Sequence, residues 1–217
     1  MTLKHILFDF DGTLIDSAPC ILNCYQQVLT EFEIEPAVTV EAGIIGPPLQ
    51  DTVAMLAATD DASLISELAS RFKHCYDQRV ATETPLYEDV EPVLSALKQR
   101  GYQLYIATNK RHLPTMAVLR HLKLTDYFTA IGAVDQMPAG QQKKGLLIRE
   151  LMIQHNIDAD NAIYIGDKLD DYEAASLSAV LFAAAGWGYG DWSSNEDHPV
   201  FSSPHDIISF VDGDYGS

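Results

Sequence analysis

The segment Ile6-Leu7-Phe8-Asp9-Phe10-Asp11-Gly12-Thr13-Leu14 ends a short apolar run with two carboxylates and a glycine. That order suits chemistry on a phosphoryl group. Asp9 can attack, and Asp11, two residues on, points the same way because strand side chains alternate with period 2. Gly12 lets the backbone turn closely around an anion. Taken alone, the segment also fits a strand that ends in an ordinary acidic turn. Three further clusters argue against that: Thr108-Asn109-Lys110, Lys143-Lys144, and Gly166-Asp167-Lys168-Leu169-Asp170-Asp171, each following an apolar run. Each is a weak signal, and the four in order form a strong one.

To work together, these residues must be carried to one end of one sheet. Tyr102–Thr108, Ala130–Val134, Ala162–Gly166 and Val180–Ala185 read as strands that follow the first apolar run. Val90–Arg100, a stretch opened by Pro114, Lys144–His155, Tyr172–Ser178 and Ile207–Val211 read as helices. The alternation predicts an α/β fold, a doubly wound parallel sheet with a Rossmann-like core, whose ligands bind beyond the carboxyl ends of the strands. Residues 16–83 show only helical spacing: Ile21, Leu22, Tyr25, Val28, Leu29 and Phe32, then stretches around Asp51–Ala58 and Ala62–Gln78. An inserted α-helical cap domain is therefore expected over 16–83, with the core formed by 1–15 and 84–217. Gly46-Pro47-Pro48-Leu49 breaks the helical pattern; it fits both a lid loop that faces substrate and a rigid interhelical turn. Asp212–Ser217 reads as a small acidic tail.

The chain has 217 residues and a formal net charge of -17, which repels nucleic acid and anionic membrane over most of its surface. It contains no apolar stretch of about 18 residues, so no spanning helix is expected. Met1–His5 runs into the first strand without the apolar stretch of a secretory signal, which points to the cytoplasm. Cys20, Cys24 and Cys75 form no CxxC pair and read as buried thiols. The few cations follow the strands, so convergence of the strand ends would create a local positive pocket. Spacing to Leu147, Ile148 and Leu151 turns Lys144 inward and leaves Lys143 exposed. Asp170 reads as an N-cap for the helix at Tyr172. His112 reads as a surface or capping residue, and Trp187 and Tyr189 as packing after the fifth strand.

On Asp9–Thr13, Thr108–Lys110, Lys144 or Lys143, and Gly166–Asp171, the chain resembles the phosphatase branch of the haloacid dehalogenase superfamily. It is most similar there to the phosphoglycolate phosphatase-like group, with its 5′-nucleotidase-like relatives. The resemblance covers nearly the whole chain, and Gly46–Leu49 and Trp187–Gly190 also look like segments of that group. It implies a phosphomonoesterase in which Asp9 is the nucleophile and Asp11 the general acid and base. Thr108 and the lysine would bind the phosphoryl oxygens, and Asn109 and Gly46 would contact substrate. Mg²⁺ would be held by Asp9, the backbone carbonyl of Asp11 and Asp167, with Asp171 orienting that shell. The implied partner is a small phosphorylated metabolite, phosphoglycolate or a nucleoside monophosphate, handled by a monomer or weak homodimer. Leu86-Tyr87-Glu88-Asp89-Val90 departs from the Tyr-Pro-Gly-Val frequent in relatives and adds two negative charges near the hinge. A phosphosugar mutase of the same superfamily would carry an Arg soon after Gly46, where Pro47, Pro48, Leu49 and Gln50 stand. A dehalogenase would need neither Asp11 nor Asp167. The remaining alternative is a non-catalytic phosphate-binding protein.

Overall fold

The computed structural model describes residues 3–193 and 198–213. The chain divides into two compact units, residues 1–16 with 86–217, and residues 17–85. Of the acidic tail, residues 214–217 lie outside the described residues.

The first unit is built on six parallel strands: β1 (His5–Phe8), β2 (Gln103–Thr108), β3 (Ala130–Ala133), β4 (Ala162–Gly166), β5 (Leu181–Ala185) and β6 (Val200–Phe201). Their order in the sheet is β3-β2-β1-β4-β5-β6. Ile6, Leu7 and Phe8 are fully buried, as are Ile163, Tyr164 and Ile165. Strands covered on both faces must be continuous apolar runs, which is why these were legible as strands. The two-residue β6 was not foreseen, being too short to show a period.

After α1 (Ala18–Glu31), α2 (Leu49–Ala57) and α3 (Ala62–Glu83) of the other unit, the α-helices among the described residues of this unit are α4 (Val90–Gln99), α5 (His112–His121), α6 (Lys144–His155), α7 (Leu169–Leu177) and α8 (His205–Asp212). Helix α6 matches the sequence reading end for end. Helix α5 starts two residues before Pro114, which is tolerated there because the first-turn N–H groups have no intrahelical acceptor. Helix α7 starts three residues before Tyr172. Its first turn carries Asp170 and Asp171, which favour the positive end of the helix dipole but give no apolar period.

The second unit consists of α1 (Ala18–Glu31), α2 (Leu49–Ala57) and α3 (Ala62–Glu83). Tyr25 of α1 stacks on Phe72 of α3 with centroids 4.3 Å apart, and Phe72 stacks on Tyr76. Asp61 caps α3, its carboxylate accepting the Ser63 and Leu64 N–H groups. Cys20, Cys24 and Cys75 are buried thiols outside any disulfide, with Cys24 and Cys75 in sulfur–sulfur contact at 2.9 Å. Among the described residues, no helix is long and apolar enough to cross a membrane.

Candidate active site

Phe8 pairs with Ile106 of β2 and with Ile165 of β4. Strand β1 therefore lies where the winding of the sheet reverses, the place at which open α/β sheets form a crevice beyond their carboxyl ends. Asp9 follows β1, Asp167 follows β4, and Thr108 is the last residue of β2. The strand itself ends at Phe8, so the pleat does not set Asp11 as the sequence reading assumed. Asp9 N–H still bonds the Ile165 carbonyl at 2.8 Å, and then the chain coils: Leu14 and Ile15 N–H both bond the Phe10 carbonyl. Gly12 takes φ +82°, and a Cβ there would lie 2.2 Å from Asp167 Oδ2. Glycine is thus required twice over, for the conformation and for the closeness of a carboxylate.

The two aspartates have different cations. Asp11 Oδ1 accepts from Lys110 Nζ at 2.8 Å, and the Lys110 side chain is almost fully buried. Asp9 Oδ1 lies 3.3 Å from Lys144 Nζ. Lys144 is the first residue of α6 and is buried, while the exposed Lys143 serves only as its N-cap. The Lys144 ammonium also donates to Asp171 and lies 3.8 Å from Asp170. Burial alone draws this ammonium down, but Asp171, Asp9 and Asp170 outweigh burial and hold it above its ordinary value. It is charged at neutral pH.

Asp9, Asp167 and Asp171 are buried and present carboxylate oxygens within 4.8 Å of one another. Asp171 is already engaged. Its Oδ1 accepts from Lys144 and, at 3.1 Å, from the Tyr164 hydroxyl, and its Oδ2 from Lys168 N–H at 3.0 Å. Asp9 Oδ1 and Asp167 Oδ1, in contrast, are buried without a hydrogen-bond partner. Burial pushes the Asp9 carboxyl well above the usual range; Lys144 opposes this, while Asp171, Asp167 and Asp11 add to it. Burial, then the charge of Asp171, pushes Asp167 up to about 7. Buried carboxylate oxygens without hydrogen bonds, so crowded that their ionisation is penalised, fit a hard divalent cation such as Mg²⁺, which prefers carboxylate and water ligands.

Thr108 is buried, and its Oγ1 accepts the Lys110 N–H at 3.1 Å, which leaves the hydroxyl hydrogen to donate elsewhere. Asn109 donates to Asp170 Oδ2 at 3.1 Å. Asp170 is therefore not the N-cap read from the sequence. It lies inside the first turn of α7, and Asp171 bonds back to the cap N–H instead. His112 opens α5 with its N–H on Asp135 Oδ1. Gly46 belongs to the helical unit, between a 3₁₀ turn at Ala42–Ile44 and α2, with φ +140°.

A sequence model of the haloacid dehalogenase-like hydrolases matches residues 6–185. The chain belongs to this family. It is 31% identical over 196 residues to a phosphoglycolate phosphatase of Neisseria gonorrhoeae, covering 87% of this chain and 82% of that one. It is 29% identical over 187 residues to a 5′-nucleotidase of Pseudomonas aeruginosa, covering 86% and 84%. A solved structure described as a predicted phosphatase from Clostridium acetobutylicum superposes with a TM-score of 0.80 at 26% identity, covering 98% of both chains.

In this haloacid dehalogenase-like hydrolase, sequence reasoning missed two supports of the carboxylate cluster. Tyr164 was counted only as a strand residue. Its hydroxyl donates within bonding distance of both the Ala107 carbonyl and Asp171 Oδ1, at 2.8 and 3.1 Å. A tyrosine in a fully buried strand must find such a partner, and that was the available signal. The segment after β5, read as packing, is instead bonded to the site loops. Trp187 Nε1 donates to the Thr13 carbonyl at 3.0 Å, and Tyr189 N–H to Asp167 Oδ2 at 2.8 Å.

Proposed function

We propose that this hydrolase is a Mg²⁺-dependent phosphomonoesterase that acts on a small phosphorylated metabolite through an aspartyl-phosphate on Asp9. The observation that carries the reading is the division of labour between the two aspartates. Asp9 is buried, its Oδ1 without a hydrogen bond and 3.3 Å from the Lys144 ammonium, whereas Asp11 is held apart by Lys110. The names of the relatives favour phosphoglycolate or a nucleoside monophosphate as substrate.

Mg²⁺, held by Asp9, Asp167 and the Asp11 carbonyl, would screen the repulsion between a carboxylate and a phosphate dianion. The Lys144 ammonium and the Thr108 hydroxyl bind the phosphoryl oxygens and stabilise the charge that spreads over them. A carboxylate oxygen of Asp9 forms a bond to phosphorus as the bond from phosphorus to the leaving oxygen breaks. Asp11 acts as the general acid that gives that oxygen its proton. Asp11 then takes a proton from water as the water oxygen attacks phosphorus. The bond from Asp9 to phosphorus breaks, which restores the carboxylate and releases inorganic phosphate. Lys110 keeps Asp11 in position through both transfers. Choice among phosphomonoesters is assigned to the helical unit over residues 17–85.

The test is phosphate release from a panel of phosphoglycolate, nucleoside monophosphates and sugar phosphates, with Mg²⁺ and with EDTA, using Asp9→Asn as the blank. Metal-dependent release that vanishes in the blank is expected. Isomerisation of a hexose 1-phosphate without free phosphate would mean a mutase instead, and turnover by Asp9→Asn would sink the covalent route.

A further inference from the structure

The chain contains two tryptophans, and both indole N–H groups donate to backbone carbonyls of the site loops. Trp187 bonds the Thr13 carbonyl, and Trp192 bonds the Asp167 carbonyl at 3.0 Å. Between them, Tyr189 N–H holds Asp167 Oδ2 at 2.8 Å, and the Tyr189 hydroxyl reaches Asp16 Oδ1 at 3.1 Å. The segment passes so close to Asp167 that side chains are excluded. A Cβ at position 188 would meet Asp167 Cβ and the Gly12 carbonyl, each at 2.3 Å, and one at position 190 would meet the Asp167 carbonyl at 1.9 Å. The indole of Trp192 is itself fixed, tilted against Phe182 at 5.7 Å and edge-on to His198 at 5.0 Å.

We propose that residues 187–192 form a positioning strap for the metal site, and that Tyr189 and Trp192 hold Asp167 in the one orientation that leaves its Oδ1 for a divalent cation. The inference rests on the metal-dependent reading above and names residues that reading does not need. A carboxylate on a short side chain can offer either oxygen and several rotamers. Here Oδ2 is occupied by a main-chain donor, the backbone oxygen by an indole, and the space around both by glycine backbone. Oδ1 alone stays buried and without a donor. The strap therefore meets in advance the ordering cost that cation binding would otherwise incur. Trp192 is a positioning residue, since it acts on the cation only through Asp167. Trp187 ties the same strap to the loop that carries Asp9 and Asp11.

The experiment is titration of the full chain with Mg²⁺ alone, followed by calorimetry and by tryptophan fluorescence. Trp192→Phe keeps an aromatic ring in the group and deletes the N–H donor along with part of the indole's bulk. Its Mg²⁺ dissociation constant is expected to rise about tenfold, as for lost orienting bonds to other metal ligands. Its turnover should recover at saturating Mg²⁺, a rescue that a general packing defect would not show. Gly190→Ala, which forces the Asp167 carbonyl to move, should weaken binding at least as much. Wild-type dissociation constants in both variants, or a turnover loss in Trp192→Phe that no Mg²⁺ concentration recovers, would overturn the proposal. Absence of Mg²⁺ binding by the unaltered chain would instead refute the metal-dependent reading itself.

Discussion

Replacing Lys144 with methionine keeps an unbranched apolar stem and deletes the charge that three carboxylates share. Asp171 would lose a charged donor, Asp9 the cation 3.3 Å from its Oδ1, and Asp170 the one at 3.8 Å. Asp170 is half-exposed and can turn to water, whereas Asp9 and Asp171 cannot, being 6% and 0% exposed. Removing one side of a buried ion pair costs about 3–5 kcal/mol, because the other charge stays buried without compensation. Asp171 keeps the Tyr164 hydroxyl and the Lys168 N–H, so the lower end applies, about 3 kcal/mol. For a chain of this length that is a fall in Tm of roughly 6–12 °C. The ammonium is held above its ordinary value, so its contribution is complete below the unfolded lysine pKa of about 10.4 and is lost only as pH rises through the higher folded value. At pH near 7 the whole effect should be visible. Asp9→Asn should behave oppositely. Its carboxyl is pushed up by burial and by three neighbouring carboxylates, so the neutral amide relieves a penalty. The assay is thermal unfolding in EDTA of the wild type, both single variants and the double variant. Lys144→Met should melt lower, Asp9→Asn at or above wild type, and the double variant above Lys144→Met. A Lys144→Met protein that melts with wild type, or an Asp9→Asn protein that falls as far, would refute this account of the cluster.

Tyr164→Phe removes the hydroxyl that serves both the Ala107 carbonyl and Asp171, and should cost about 1–3 kcal/mol in denaturant unfolding; an unchanged midpoint would count against a structural role for that bond. Gly12→Ala forces a strained φ and a Cβ 2.2 Å from Asp167 Oδ2, whereas Gly43→Ala meets nothing within 4 Å. Turnover should fall about a hundredfold or more in the first, since small misplacements of reacting groups have that effect, and hold in the second; equal activities would refute the contact argument. In the helical unit, the hydrogen bond from Arg71, then that from Gln27, holds the Glu31 carboxyl down at about 2. A depressed carboxyl lends stability that is complete above its unfolded pKa of about 4.3 and is lost as pH falls through the folded value. Arg71→Leu should move that loss up into the ordinary carboxylate range, so helicity followed by circular dichroism on acidification should drop at higher pH than in wild type. Superimposable acid curves would show the pair to be inert.

The strands and most helices were legible because burial imposes a period. β4 and α6 end where their apolar patterns end, at Gly166 and His155. α7 was read three residues short because its first turn is acidic, and β6 was missed because two residues carry no pattern. Period favoured Lys144 over Lys143 without deciding between them; the buried start of α6 puts Lys144 beside Asp9 and Asp171. Asp170 was misread because an acidic residue near a helix start fits a cap, a first-turn charge and a side-chain acceptor equally well. Nothing local says that Asn109, 61 residues away, will bond it.

By itself the sequence determined the alternation of strand and helix, the helical insert, and the inventory of acids, bases and cations carried after the strands. Those follow from local periodicity and residue chemistry, which act over a few neighbouring positions. The tertiary structure alone decided who pairs with whom. Lys110 meets Asp11 across 99 residues, Lys144 meets Asp171 across 27, and Tyr189 holds Asp167 across 22. These pairings depend on the order β3-β2-β1-β4-β5 and on its register, which bring the strand ends side by side. A hydrogen bond or ion pair needs atoms placed to within a fraction of an ångström. Only the packed sheet, with glycines where Asp167 and Asp171 press against backbone, supplies that placement.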